Sequence, residues 1–313
     1  MVFGASGGGM KTAWLMASPA ATGLIHRAGS QSGPCLRIME RDEASAISGR
    51  LLADVGLTSA TVNDLRRMDV RRLLHAYHRI RIASPPRRFT HLAGFAPVID
   101  PTLMPRHPFA PNSAPQAAAV PLLIGWNRED MAFFPGRDTG LLDLDEAGVA
   151  ERVERLPIAD APRHLAAYRA DDPDASPSRL LMRLVSDWSI GAPVLAQAAR
   201  HSAAGRAPVF AYRFDHSSPA LGGRVGAVHS SETGYVFATG GPFADPSPDA
   251  QALGRTMRDA WVHFATTGSM ADAPPPVPAW PAYRPDNPAV LALATPPHVI
   301  DHRLPLDADW IPA

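Results

Sequence analysis

The chain opens on Gly4-Ala5-Ser6-Gly7-Gly8, a Gly-x-Ser-x-Gly pentapeptide that follows the apolar Met1-Val2-Phe3 and precedes a helix-like stretch. Strand, glycine turn and amphipathic helix in that order leave the backbone little choice. A serine on a sharp strand-to-helix turn must adopt dihedrals that most residues avoid, and side chains at the flanking positions would collide with the turn. Glycines remove those collisions and leave the hydroxyl exposed, the context a nucleophile elbow requires. Such an elbow ordinarily follows several strands of a parallel sheet, whereas here only five residues precede the serine.

Downstream periodicity fits that start. Met10, Ala13, Trp14 and Ala17 fall at i, i+3, i+4 and i+7, one apolar helix stripe that ends at Ser18-Pro19. Ala44, Ile47, Leu51, Leu52 and Val55 form a second helix closed by Gly56, and residues 70–77 form a third. Residues 120–124 and 209–214 are short apolar runs typical of buried parallel strands, each reached through helical or loop material. Helices are also predicted around Leu180, Leu184, Val185 and Trp188, over residues 194–204, and from Leu253 through Phe264 to a cap at Gly268. Residues 290–293 and 299–300 read as a terminal hairpin. Prolines crowd residues 83–119, which reads as a long irregular surface connection and not as a linker between domains. The alternation predicts an α/β fold, with residues 1–313 as one domain.

Composition narrows the function classes. Thirty basic and thirty acidic residues balance to zero net charge, so the arginine pairs at 66–67, 71–72 and 87–88 read as solvated faces and no nucleic-acid partner is expected. No run of about 18 apolar residues is present, so no membrane span is expected. The single cysteine, Cys35, permits neither an intrachain disulfide nor a cysteine-based metal site, and reads as a buried inert thiol. Neither a metal nor a cofactor is expected.

An exposed serine nucleophile needs a base, and the base needs a carboxylate to orient it. Loop position selects among the 12 histidines and 30 acids. The strand-like run at 120–124 leads into Gly125-Trp126-Asn127-Arg128-Glu129-Asp130, an acidic pair beyond the carboxyl end of a strand, where open α/β sheets build their sites. The run at 209–214 leads towards Val228-His229-Ser230-Ser231-Glu232. The candidate order is therefore Ser6, Asp130, His229. Glu129 remains an alternative or helper to Asp130. His216 competes with His229, but its Asp-His-Ser-Ser-Pro setting reads as a solvated turn.

Together these segments resemble the type-B carboxylesterase and cholinesterase-like family of α/β-hydrolases over nearly the whole chain. The likeness rests on the elbow and its continuation to Gln31-Ser32-Gly33, on Phe95-Ala96-Pro97-Val98-Ile99-Asp100, on Pro121 through Asp130, on Gly226-Ala227-Val228-His229 with Glu232, and on Trp261-Val262-His263-Phe264-Ala265. The resemblance implies Ser6 as nucleophile, His229 as base and Asp130 as orienting acid, where the family more often has glutamate. It further implies Gly7 as an oxyanion N–H donor, and Ser32, Glu129 and Glu232 as supporting residues. Ala5 stands where the family has an acidic residue. The implied substrate is a small-molecule carboxylic ester, cleaved through an acyl-enzyme without a cofactor.

The family's glycine-rich oxyanion loop and early strands precede the elbow, and no such segment stands before Ser6. The expectation is therefore the C-terminal portion of an esterase, missing its early strands, impaired in isolation and served by an N-terminal fragment. The contrasting expectation is a non-catalytic cholinesterase-like interaction domain.

Overall fold

Two apolar runs with no polar alternation must be covered on both faces, and the computed structural model, which describes residues 1–83, 95–133, 139–304 and 310–311, buries them in the middle of a six-stranded sheet. Its strands lie side by side in chain order: β1 (Val2–Ala5), β2 (Ala28–Gln31), β3 (Leu122–Asn127), β4 (Val209–Phe214), β5 (Ala289–Leu293) and β6 (His298–Asp301). The first five are mutually parallel, and β6 returns antiparallel to β5 as the expected hairpin.

Each parallel pair needs a crossover. Helix α1 (Gly7–Ala17) joins β1 to β2; α2 (Arg41–Asp54) and α3 (Val70–Ala83) lie between β2 and β3. Between β3 and β4 come α4 (Glu146–Val153), α5 (Ala161–Asp171), α6 (Pro177–Ser186) and α7 (Ala192–Ala203), with a π-helical turn at Asp187–Gly191 joining the last two. The crossover to β5 carries α8 (Thr233–Phe237) and α9 (Pro248–Thr267), and α9 ends at Gly268 in the left-handed region, φ 75°.

Strand side chains alternate between two cores. Leu122, Ile124 and Trp126 of β3 and Val209 and Ala211 of β4 pack with Met10, Leu184, Val194 and Leu195 on one face. Leu123, Phe210, Tyr212 and Phe214 pack with Leu253, Met257, Trp261 and Phe264 of α9 on the other. Each such fully buried large side chain contributes about 1.5–3 kcal/mol, which holds the sheet rigid beneath its loops. The register pairs Ala5 with Gln31, Gln31 with Gly125, and Asn127 with Phe214. The carboxyl ends of β1 to β4 therefore form one rim, and Ser6, Ser32 and Asp130 follow directly from it.

Several expectations shift. Strand β3 starts two residues later than the apolar run and continues through Trp126 and Asn127, because the Asn127 side-chain NH₂ finds buried acceptors in the Val228 carbonyl and Glu232. Helix α3 runs on to Ala83, and α4 and α5 had no counterpart in the periodicity. In the proline-dense stretch, residues 95–119 are irregular apart from isolated bridges such as Asp100 with Met104; residues 84–94, including the Arg87-Arg88 pair, lie outside the described residues. Among the described residues no helix is long and apolar enough to cross a membrane.

Candidate active site

Ser6 sits between β1 and α1 at φ 55° and ψ −123°, a backbone conformation non-glycine residues seldom adopt. The turn is pinned from both sides: the Ser6 N–H donates to the Gln31 carbonyl at 2.7 Å, and the Ser6 carbonyl accepts from the Met10 N–H at 3.1 Å. The serine side chain does not cap α1. Glycine is needed around it. A Cβ on Gly4 would lie 2.7 Å from the Gly8 carbonyl carbon, one on Gly9 would lie 2.5 Å from Ser30 Oγ, and one on Gly33 would strike the Ser6 carbonyl oxygen. Gly7 is the first residue of α1, where backbone N–H groups have no intrahelical acceptor.

Asp130 begins a short 3-10 turn three residues past the end of β3 and is fully buried. Its Oδ2 accepts the Asn127 N–H at 2.9 Å, and its Oδ1 lies 2.5 Å from Nδ1 of His229. With Nδ1 donating to the carboxylate, Nε2 is the nitrogen left to accept a proton. Burial works against a charged His229 ring, but the hydrogen bond and charge of Asp130, together with the charge of Glu232, outweigh it and raise the imidazole above its ordinary range.

The adjacent acid points elsewhere. Glu129 Oε1 accepts from Arg183 Nε at 2.8 Å and lies 3.4 Å from Arg179 Nε, while its Oε2 accepts the Ala227 N–H at 2.8 Å. Glu129 is thus an ion-pair partner that also holds the segment leading to His229. The two neighbouring carboxylates diverge, and only Asp130 meets the imidazole.

Glu232, three residues past His229, is fully buried. Its Oε2 accepts from Asn127 Nδ2 at 2.6 Å and its Oε1 from Gln31 Nε2 at 3.1 Å. Burial, aided by the Asp130 charge, raises its carboxyl above the usual carboxylate range. Ser32 adopts φ 48°, its N–H donates to the Gly125 carbonyl at 2.8 Å, and its buried Oγ makes no hydrogen bond among the described residues.

His216 departs from its expected solvated turn. Its Nε2 lies 2.9 Å from Asp245 Oδ2 and its Nδ1 3.2 Å from Thr295 Oγ1, and the ring packs on Phe214 and Tyr235. The partners lie 29 and 79 residues away, beyond the reach of local turn chemistry. Cys35 is buried, and burial pushes its thiol up to about 12 despite the hydrogen bond from Trp14. Among the described residues no group of three or more His, Cys, Asp or Glu side chains is placed to hold a metal ion.

Sequence reasoning gave no role to Asn127 or Gln31. Both are amides at the last position of a strand that ends on the functional rim, and a polar residue closing an otherwise apolar run was the available signal for Asn127.

A model of the carboxylesterase family matches residues 1–307. Para-nitrobenzyl esterase of Bacillus subtilis (strain 168) is 30% identical over 299 residues, covering 93% of this chain and 58% of the relative. Phenmedipham hydrolase of Pseudarthrobacter oxydans is 31% identical over 308 residues, with the same two coverages of 93% and 58%. Among solved structures, a PNB esterase superposes with a TM-score of 0.70 at 27% identity over 95% of this chain and 60% of the other. A Geobacillus stearothermophilus carboxylesterase gives 0.72 at 27% identity, again over 95% and 60%. The fold is that of the α/β-hydrolases, and the chain spans somewhat under three-fifths of the length of these curated relatives.

Proposed function

The chain belongs to the carboxylesterase family, and on that premise we propose that it forms, as one α/β-hydrolase unit, the nucleophile-bearing part of a carboxylic ester hydrolase in which Ser6, His229 and Asp130 act together. The observation that carries the reading is the buried His229–Asp130 pair beyond β3 and β4, on the same rim as the strained Ser6 turn. The names of the relatives, an esterase of para-nitrobenzyl compounds and a hydrolase of phenmedipham, support ester-like acyl substrates.

In this mechanism His229 Nε2 takes the Ser6 hydroxyl proton as Oγ bonds to the ester carbonyl carbon. The carbonyl oxygen becomes an oxyanion, which the Gly7 N–H faces as one donor. The carbon–oxygen bond to the alcohol then breaks, and the imidazolium returns its proton to that leaving oxygen. Water, deprotonated by the same nitrogen, attacks the acyl-serine and releases the acid. Asp130 stabilises the imidazolium through Nδ1 throughout. Glu129, being committed to Arg183 and Ala227, holds the histidine segment and stays outside the proton path.

Hydrolysis of a short aryl ester by the purified chain, compared with Ser6→Ala, tests the reading. Turnover that disappears in the variant supports it; equal turnover in both overturns it.

A further inference from the structure

Parallel strands laid down in chain order bring their entering loops side by side, and at that end of the sheet, away from the rim that bears Ser6 and Asp130, these loops line a second cleft. His26 and Arg27 stand directly before β2, Val120 and Pro121 directly before β3, and Arg206 three residues before β4. The loops are pinned to one another: the Ala28 N–H donates to the Pro121 carbonyl at 2.9 Å, and the Leu122 N–H to the Pro208 carbonyl at 3.1 Å. Between these loops and the carboxyl end of α9 the cleft holds about 540 Å³, a size typical of small-molecule sites.

Its charge is one-sided. Arg27, Arg206 and His26 line it, and among the described residues no aspartate or glutamate does so. Neither guanidinium makes a hydrogen bond or ion pair among the described residues, and Arg27 Nε is buried without an acceptor. A buried charged donor with no partner is costly, and two cations that share a cleft repel each other, so the arrangement favours an anion between them. The end of α9 keeps Arg27 in place: a Cβ on Gly268, whose φ is 75°, would lie 3.2 Å from Arg27 Nε and 3.1 Å from Pro121 Cγ. A helix carboxyl end carries partial negative charge, which attracts the guanidinium to this position while leaving its Nε without an acceptor. The cleft is also lined by apolar Ile25, Val120 and Pro121.

We propose that this cleft binds an organic oxyanion, with a carboxylate or phosphate head held by Arg27 and Arg206 and an apolar body against Ile25, Val120 and Pro121. The planar N–H fork of a guanidinium meets two oxygens of either head at once. The site stands at the end of the sheet away from Ser6 and does not rest on the ester-hydrolase reading. A carboxylate ligand belongs to the class that ester hydrolysis releases, whereas a phosphate monoester comes from another source.

The test is calorimetric titration of the purified full chain, and of Ser6→Ala, Arg27→Gln and Arg206→Gln, with benzoate, phenyl phosphate, inorganic phosphate and benzyl alcohol, the bound position being read from the arginine Nε–H NMR signals. The expected result is saturable binding of benzoate or phenyl phosphate that shifts the Arg27 signal, persists in Ser6→Ala, and weakens about 10- to 100-fold in each arginine variant at unchanged circular dichroism. Tighter binding of benzoate supports the carboxylate head, and tighter binding of phenyl phosphate the phosphate head. Binding of neither anion, binding no tighter than that of benzyl alcohol or inorganic phosphate, or unchanged affinity in either arginine variant overturns the inference. Should Arg27→Gln not fold, Arg206→Gln, altered at an exposed side chain, carries the test, and unchanged affinity there overturns the site. A wild-type chain that binds the anion but hydrolyses no ester contradicts the ester reading and supports this site.

Discussion

Asn127 donates its backbone N–H to Oδ2 of Asp130 at 2.9 Å, which leaves Oδ1 of the same carboxylate to meet His229. The last residue of β3 thereby fixes the rotation of the acid that follows it. Asp130→Asn keeps the shape but presents either an amide NH₂ or a neutral oxygen to the imidazole, and the tautomer with Nε2 unprotonated loses its support. The expected loss is about 10³- to 10⁴-fold in acylation rate with little change in melting temperature, read by stopped-flow hydrolysis and calorimetry.

Glu129 carries the opposite expectation. It is buried against Arg183, whose side chain is only 6% exposed, so deleting the carboxylate removes one of the two acids that pair with this buried cation among the described residues, the other being Asp172. Glu129→Ala is predicted to destabilise the chain by about 3–5 kcal/mol, seen as a lower urea midpoint. Near the midpoint of the wild type, the variant is already unfolded. A wild-type midpoint would contradict this assignment.

The pH profile follows from His229. Its imidazole is raised above the ordinary histidine range because Asp130 and Glu232 outweigh burial, and only the neutral ring accepts a proton from serine. Acylation measured as kcat/KM should therefore fall as pH drops, with a half-point above that of an ordinary histidine. Because the folded state holds this proton more tightly than the unfolded one, the ring's stabilising contribution is complete below the unfolded histidine pKa and is lost as pH rises through the folded value. Asp130→Asn should move the kinetic half-point to lower pH; a half-point unchanged between wild type and variant would contradict the account.

Close packing at the elbow gives a steric prediction. A methyl on Gly33 would meet the Ser6 carbonyl oxygen and lie 2.8 Å from Gly9 Cα, all of it backbone that has no room to shift. Gly33→Ala should cost about 1–3 kcal/mol and displace the turn, lowering both the unfolding midpoint and the labelling rate of Ser6. Gly23→Ala meets no atom within 4 Å and is a control for generic glycine effects, its φ of 79° costing strain alone.

What the sequence showed depended on whether the deciding physics was local. The elbow was legible because glycine is enforced by contacts within a few residues and by one neighbouring turn. Strand β4 coincides with its apolar run at 209–214, where five of the six residues are buried apolar or aromatic side chains and only Arg213 is polar, a length and composition that favour a buried strand. Strand β3 was shifted because Asn127 looks like a loop residue until its acceptors, 101 and 105 residues away, are known. His216 was misread for the same reason. Glu129 and Asp130 stayed open alternatives in the sequence, and the turn after β3 sends them to opposite sides, towards Arg183 and His229. Glu232 was named through the family resemblance, but its bonds from Gln31 and Asn127 were invisible, being built from three segments that meet only through the sheet register.

Mass-spectrometric mapping of a fluorophosphonate adduct on the folded chain tests the central claim most directly. The account predicts a single adduct on the peptide containing Ser6, absent from Ser6→Ala and slow to form in Asp130→Asn. An adduct at another residue, or folded wild-type protein that takes up no probe, would contradict it.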